Sequence, residues 1–258
     1  MTADLKHAQR EATIVTGAGN GLGLAIAKRF AAAGGKVLLV DRDPAVKARV
    51  GEEGLPVDQC FACLEDLRDC EAGRIVFERA LEAMGRVDTL INNAAWSMHK
   101  TILETTPDHF DQIVAVNQRA PFLLAQEFYR YVSESPAKVK DPAIVNIASV
   151  NALAGNPNLI AYAGTKGALV AMTRAMAVEM APLGVRINCV SPGAIDTPMN
   201  RQILAEGKLD DRTRWDKFLI KRYTTSEEVA EVVMFLCTPA AACVTGANWV
   251  IDGGYLAR

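Results

Sequence analysis

The amino-acid sequence predicts an α/β fold, a doubly wound parallel sheet with helices on both faces, in a single domain. Three observations predict it. Short apolar runs without internal alternation recur along the chain, the pattern of strands buried on both faces. Longer segments with helical periodicity separate them, so successive strands are joined by crossovers. Half of the 258 residues are hydrophobic, and no repeat, low-complexity tract or linker divides them, which is material for one large core.

In chain order, a β-type run at Ala12 to Thr16 is followed by the glycine-rich Gly17 to Gly23 and a helix over Leu24 to Ala33. Lys36 to Val40 is a second buried strand that stops at Asp41. Further strands are expected at Val57 to Cys63, Thr89 to Asn92, Ala143 to Ala148, Val185 to Val190 and Trp249 to Asp252. Helices are expected at Asp69 to Met84, Pro107 to Ser133, Tyr162 to Met180 and Ser226 to Leu236, with Tyr131 to Pro142 a polar surface loop.

A net charge of −2 and a pI near 6.0 leave no electrostatic footprint for nucleic acid or an anionic membrane. The longest uncharged stretch, Pro142 to Thr165, carries four asparagines and Pro157, which a bilayer core does not accept cheaply. Met1 to Glu11 is polar and lacks the apolar block of a signal peptide, so a cytoplasmic location is expected. Six cysteines in a chain this long do not make a disulfide scaffold. Cys60 and Cys63 have CxxC spacing, but His7, His99 and His109 are not spaced to complete a metal site, so reduced thiols in or beside a strand and no metal are expected.

Gly17-Ala18-Gly19-Asn20-Gly21-Leu22-Gly23 lies between a strand and a helix. Glycines there let the backbone turn tightly against a pyrophosphate, while the helix N-terminus offers N–H groups and a favourable dipole. With an acidic residue closing the next strand, the arrangement is that of a Rossmann-type dinucleotide site. Asp41 would accept hydrogen bonds from the adenosine ribose and repel a 2′-phosphate; Arg42 partly offsets that repulsion, and Asn20 is neutral, so NAD is the expected cofactor.

Tyr162 and Lys166 stand one helical turn apart on one face. A phenol is a poor base at neutral pH, and a neighbouring ammonium is expected to bring it toward working range. Ser149, past the end of an apolar strand, is placed to hydrogen-bond a substrate oxygen. Together with GxxxGxG, Asn92-Asn93-Ala94-Ala95, Asn117, Tyr162-Ala163-Gly164-Thr165-Lys166 and Pro192-Gly193, these residues resemble the short-chain dehydrogenase/reductase family from Thr16 to Gly254. Ala95 departs slightly, standing where that family often has glycine.

The resemblance implies that Asn117 holds a water linking Lys166 to solvent, and that Lys166 also holds the nicotinamide ribose. It implies further cofactor contacts from Asp66 and Leu67 near adenine, Asn93, Ala94 and Ala95 along the ribose, and Pro192, Gly193, Ile195 and Thr197 around the nicotinamide. Asn93 and Thr197 have competing structural roles, as a strand tie and a helix cap. The implied reaction is hydride transfer between NAD(H) and a secondary alcohol or ketone. Trp96, Asn151, Asn156 and Pro157, with an amphipathic lid over about 196–223, are expected to face a small-molecule substrate.

Two asparagines and a tryptophan suggest a sugar or polyol. A hydrophobic ketone, a hydroxysteroid or a 3-oxoacyl thioester stays open, because fold and motif do not name a substrate. A catalytically silent NAD-sensing protein and an epimerase or dehydratase are the other classes. The intact Ser–Tyr–Lys set weighs against the first, and the short region after Gly254 against the second. The run Trp249-Val250-Ile251-Asp252-Gly253-Gly254 matches the family's final edge strand, which implies a homotetramer or, failing that, a dimer.

Overall fold

The computed structural model describes residues 12–197 and 215–258. Seven strands form one parallel sheet: β1 (Ala12–Thr16), β2 (Lys36–Asp41), β3 (Cys60–Leu64), β4 (Thr89–Asn92), β5 (Ala143–Ile147), β6 (Arg186–Pro192) and β7 (Asn248–Ile251). Their order in space is β3-β2-β1-β4-β5-β6-β7. The order reverses between β1 and β4, and a crevice opens there at the carboxyl ends of the strands.

The side-chain period of two along each strand feeds two cores. On one face α1 (Gly21–Ala32) packs through Ile26 and Phe30 with Val15, Leu39 and Val145. On the other, α3 (Ala72–Met84) and α5 (Ala120–Glu134) meet Ile14, Leu38 and Leu90; Phe77 and Phe128 touch edge to face at 6.2 Å. A long helix, α6 (Ile160–Met180), adds Ala177 and Met180 to that second core. The last helix, α7 (Ser226–Leu236), covers the first face with Val229 and Val233. A short α2 (Val46–Arg49) follows β2, and α4 (Pro107–Val114) leads into α5.

Cys60 belongs to one core and Cys63 to the other. A strand turns residues three apart to opposite faces, so the CxxC pair cannot clasp one metal ion or close on itself. Burial, aided by Asp58 and Glu65, pushes both thiols up to about 11.

Some boundaries move for local reasons. A turn in which Gln59 and Cys60 donate to the Pro56 carbonyl leaves Val57 exposed, so β3 starts at Cys60. The Asp69 carboxylate accepts from the Glu71 N–H, and this turn delays α3 to Ala72. Helix α5 runs to Glu134 because Val132 reaches the core, which takes the first residues of the expected Tyr131–Pro142 loop. Of the expected lid, 198–214 lies outside the described residues, as does the N-terminal segment 1–11.

Candidate active site

The glycine loop is built by close approach. Gly17 has φ of +63°, and a methyl at Gly23 would stand 2.1 Å from the Gly17 carbonyl oxygen. Only hydrogen at both positions lets the loop fold onto the first turn of α1. Asn20 precedes α1 with an extended backbone, and its side chain makes no capping hydrogen bond. The helix dipole and the first-turn amides therefore face the crevice without a side-chain cap.

Asp41 ends β2 with both carboxylate oxygens anchored, Oδ2 accepting from Gly19 N at 2.9 Å and Oδ1 from Asp43 N at 3.0 Å. Asn93 donates through Nδ2 to the carbonyls of Thr16 and Gly17 at 2.9 and 3.1 Å, so it is a strand tie beneath the loop. Thr16 Oγ1 completes that tie by accepting from Asn93 N and Ala94 N.

Asn117 lies on a π turn, Ala115–Arg119, between α4 and α5. Such an insertion re-aims one residue within a helix and recurs at functional sites. The side chain is fully buried; Oδ1 accepts from Trp96 N at 2.8 Å, and Nδ2 donates to Trp96 O at 2.9 Å and Thr165 Oγ1 at 3.1 Å. Both amide hydrogens are in use, so this side chain ties residues 96 and 165 together, and a water held here would donate to an Asn117 oxygen.

Ser149 follows β5, and Tyr162 and Lys166 share the first turns of α6. Lys166 is 2 % exposed; its Nζ donates to Ile147 O at 2.6 Å and stands 5.7 Å from the centre of the Tyr162 ring. Burial lowers Lys166 to about 8, with Cys189 opposing slightly. Burial also raises the Tyr162 phenol above its ordinary range, and the Ser149 hydroxyl beside it pulls the other way. The expected lowering of Tyr162 by Lys166 is thus corrected: desolvation is the largest effect on both groups and disfavours both charges.

One cleft of about 660 Å³ gathers these groups. Its lining includes the glycine loop, Asp41 and Arg42, Asp66 and Leu67, Asn93 to Trp96, Ser149, Asn151, Asn156, Pro157, Tyr162, Lys166 and the 192–197 loop with Ile195 and Thr197. Asn117 stands behind it. Gly193 approaches Asp252 so closely that a methyl would lie 2.8 Å from its Cα.

Trp96, expected to face the substrate, lines this cleft. Arg42 and Arg68 lie over its ring at 5.5 and 5.9 Å, and Arg68 pairs with Asp66 at 2.5 Å. Cation–π contacts therefore hold the ring at the β2–β3 side, where Asp41 stands. Arg68 also holds the Asp66 carboxyl below the usual range.

Sequence reasoning missed Tyr255 and His99 in the lining, while Phe218 comes from the segment expected to form the lid. A signal for Tyr255 existed in the Asp252-Gly253-Gly254 turn, read only as a strand ending. The residues fit a dinucleotide: an uncapped helix start behind a glycine loop, an anchored carboxylate at the next strand, and a cleft leading to Ser149, Tyr162 and Lys166.

Fold and site together define a dinucleotide-dependent oxidoreductase of the doubly wound type. A family model described as enoyl-(acyl carrier protein) reductase matches residues 17–256. The chain is 35 % identical over 254 residues to L-xylulose reductase of Bos taurus, covering 98 % of this chain and 99 % of that protein. It is 32 % identical over 244 residues to carbonyl reductase [NADPH] 2 of Sus scrofa, covering 95 % and 96 %. Among solved structures, 3-ketoacyl-(acyl-carrier-protein) reductase of Brucella melitensis complexed with NADH superposes with a TM-score of 0.86 at 34 % identity, covering 95 % and 98 %. The chain belongs to the short-chain dehydrogenase/reductase family.

Proposed function

We propose that the protein is an NAD-dependent dehydrogenase/reductase acting on a secondary alcohol or its ketone, with a sugar or polyol as the substrate class. The observation that carries the reading is the convergence of Ser149, Tyr162 and Lys166 in the cleft that begins at the glycine loop. When bound, the dinucleotide supplies the hydride acceptor or donor. Ser149 and Tyr162 present two hydroxyls to one substrate oxygen, which suits a carbonyl or alcohol better than a carbon–carbon double bond. The raised phenol keeps its proton through the neutral range, so Tyr162 is a proton donor in reduction and needs alkaline conditions to act as a base in oxidation. Lys166 holds its place through Ile147 and is available to the nicotinamide ribose.

Asp41 supports NAD over NADP, because a carboxylate closing β2, anchored by Gly19 N and Asp43 N, would accept from ribose hydroxyls and repel a 2′-phosphate. Arg42, the adjacent cation, is stacked on Trp96. The relation to L-xylulose reductase and the amides of Asn151 and Asn156 in the cleft support a polyhydroxylated substrate. The sheet ends at β7, where Phe235 and Val250 are exposed beside Trp249, an apolar edge that supports a homotetramer. Among the described residues no helix is long and apolar enough to cross a membrane.

The test is a panel of sugars, polyols, hydroxy acids, steroids and aliphatic alcohols, read by NADH absorbance. Tyr162→Phe is expected to abolish turnover while NADH still binds. Full turnover in that variant overturns the reading.

A further inference from the structure

We infer that Tyr255 is a positioning residue for the reaction, setting through Asn156 and Asn151 the direction in which the Ser149 hydroxyl donates. Four side chains form one directional chain. Tyr255 Oη donates to Asn156 Oδ1 at 3.2 Å, and Asn156 Nδ2 donates to Asn151 Oδ1 at 2.6 Å. Asn151 then donates twice to Ser149 Oγ, from Nδ2 at 3.2 Å and from its backbone N–H at 3.1 Å.

An amide has an acceptor end and a donor end, so orienting one orients the next. Because the phenol takes the acceptor end of Asn156, the donor end faces Asn151, and the same polarity passes to Ser149. Both lone pairs of Ser149 Oγ are filled by N–H groups. Its single proton has no acceptor on the Asn151 side and is left to point at Tyr162 and the substrate oxygen. A hydroxyl that would otherwise rotate is preorganised as a donor where charge develops.

The backbone holds Tyr255 to this task. Gly253 and Gly254 have φ of +62° and +81°, and the Asp252 carboxylate accepts from Gly254 N and Leu256 N, both at 2.8 Å. This winds residues Tyr255–Ala257 into a 3₁₀ turn, and the Tyr255 ring packs on Phe218 at 5.2 Å. The Asp-Gly-Gly run that ends β7 is thereby tied to the chemistry.

The inference rests on Ser149 serving as a donor to substrate oxygen, and the experiment separates the two. Reduction of L-xylulose by NADH is measured, with 2,3-butanedione replacing it where the sugar is not turned over. Tyr255→Phe removes only the terminal O–H and keeps the ring; kcat is expected to fall about tenfold with KM within about twofold, a fraction of the hundredfold or more that loss of a full oxyanion donor costs. Asn151→Asp replaces the Nδ2 donor with an oxygen that only accepts; it captures the Ser149 proton and lowers kcat to the level of Ser149→Ala. Adding Tyr255→Phe to Ser149→Ala is expected to change kcat no further, a non-additivity that a purely structural role would not produce.

Unchanged kcat in Tyr255→Phe alongside an impaired Ser149→Ala overturns the inference alone, as does an additive double variant. Full activity of Ser149→Ala overturns the functional reading beneath it. NADH binding and the melting temperature report folding, and Asn156→Ala, expected to lower kcat to the same degree, replaces Tyr255→Phe where that variant misfolds.

Discussion

The buried ammonium of Lys166 gives a sharp test of the electrostatics of the site. Its proton affinity falls from the ordinary 10.5 to about 8, with burial as the main cause. In the unfolded chain Lys166 binds its proton up to 10.5; in the folded protein it has released it above about 8. Below pH 8 the charge is present in both states, and burying it costs about 3 kcal/mol. That cost shrinks as pH rises through 8 and disappears above 10.5, because in this window the unfolded state binds more protons. Other titrating groups cancel when the native protein is compared with Lys166→Met at matched protein concentration. Urea unfolding of both proteins at half-unit steps from pH 7 to 9.5 reads the difference. The native protein is expected to gain about 2 kcal/mol relative to the variant over that range. A difference that stays flat, or that grows the other way, refutes a desolvated lysine at this position.

Three further outcomes follow from the same site. Gly23→Ala puts a methyl 2.1 Å from the Gly17 carbonyl and forces the loop off α1, so NADH affinity by calorimetry is expected to fall at least tenfold, with about 1–3 kcal/mol of stability lost to overpacking. Asp41→Ala is expected to weaken NADH and narrow the preference over NADPH by about tenfold or more in kcat/KM; equal use of both cofactors by the native protein refutes the weight given to Asp41. With Tyr162 raised above the ordinary phenol range, kcat/KM for ketone reduction is expected to stay level from pH 6 to 8 and decline at alkaline pH, while alcohol oxidation climbs with pH. An oxidation rate already saturated at pH 7 would contradict that raised phenol.

Much of this protein was legible locally. The glycine loop, the acid at the end of β2 and the Tyr162–Lys166 turn each depend on residues a few positions apart, where backbone sterics and helical period dictate geometry. Alternating apolar runs and periodic segments marked the strands and helices for the same reason, and β4 and α7 coincide with the sequence expectation. Boundaries shifted where a turn's hydrogen bonds competed with apolar patterning, as at Pro56 and Asp69.

Contacts between distant segments were not legible. The π turn that buries Asn117 against residues 96 and 165 depends on how α4, α5 and α6 meet, and no local signal marks it. Trp96 was open in the sequence to stacking on a substrate or to packing; two arginines that follow β2 and β3 lie over its ring, a meeting of three segments that no local pattern announces. Lys166 was expected to act on Tyr162 from one turn away, yet burial decides both proton affinities, and burial is a property of the whole packing.

By itself, then, the sequence determined the parallel α/β architecture, the dinucleotide loop and the Tyr162–Lys166 pair, because short-range periodicity and glycine conformations specify them, while the family resemblance added Ser149 to that pair. Only the tertiary structure decided which residues share the cleft with those three. It joins Tyr255 to Ser149 across a separation of 106 positions in the numbering, through a turn that side-chain hydrogen bonds and two left-handed glycines hold in place.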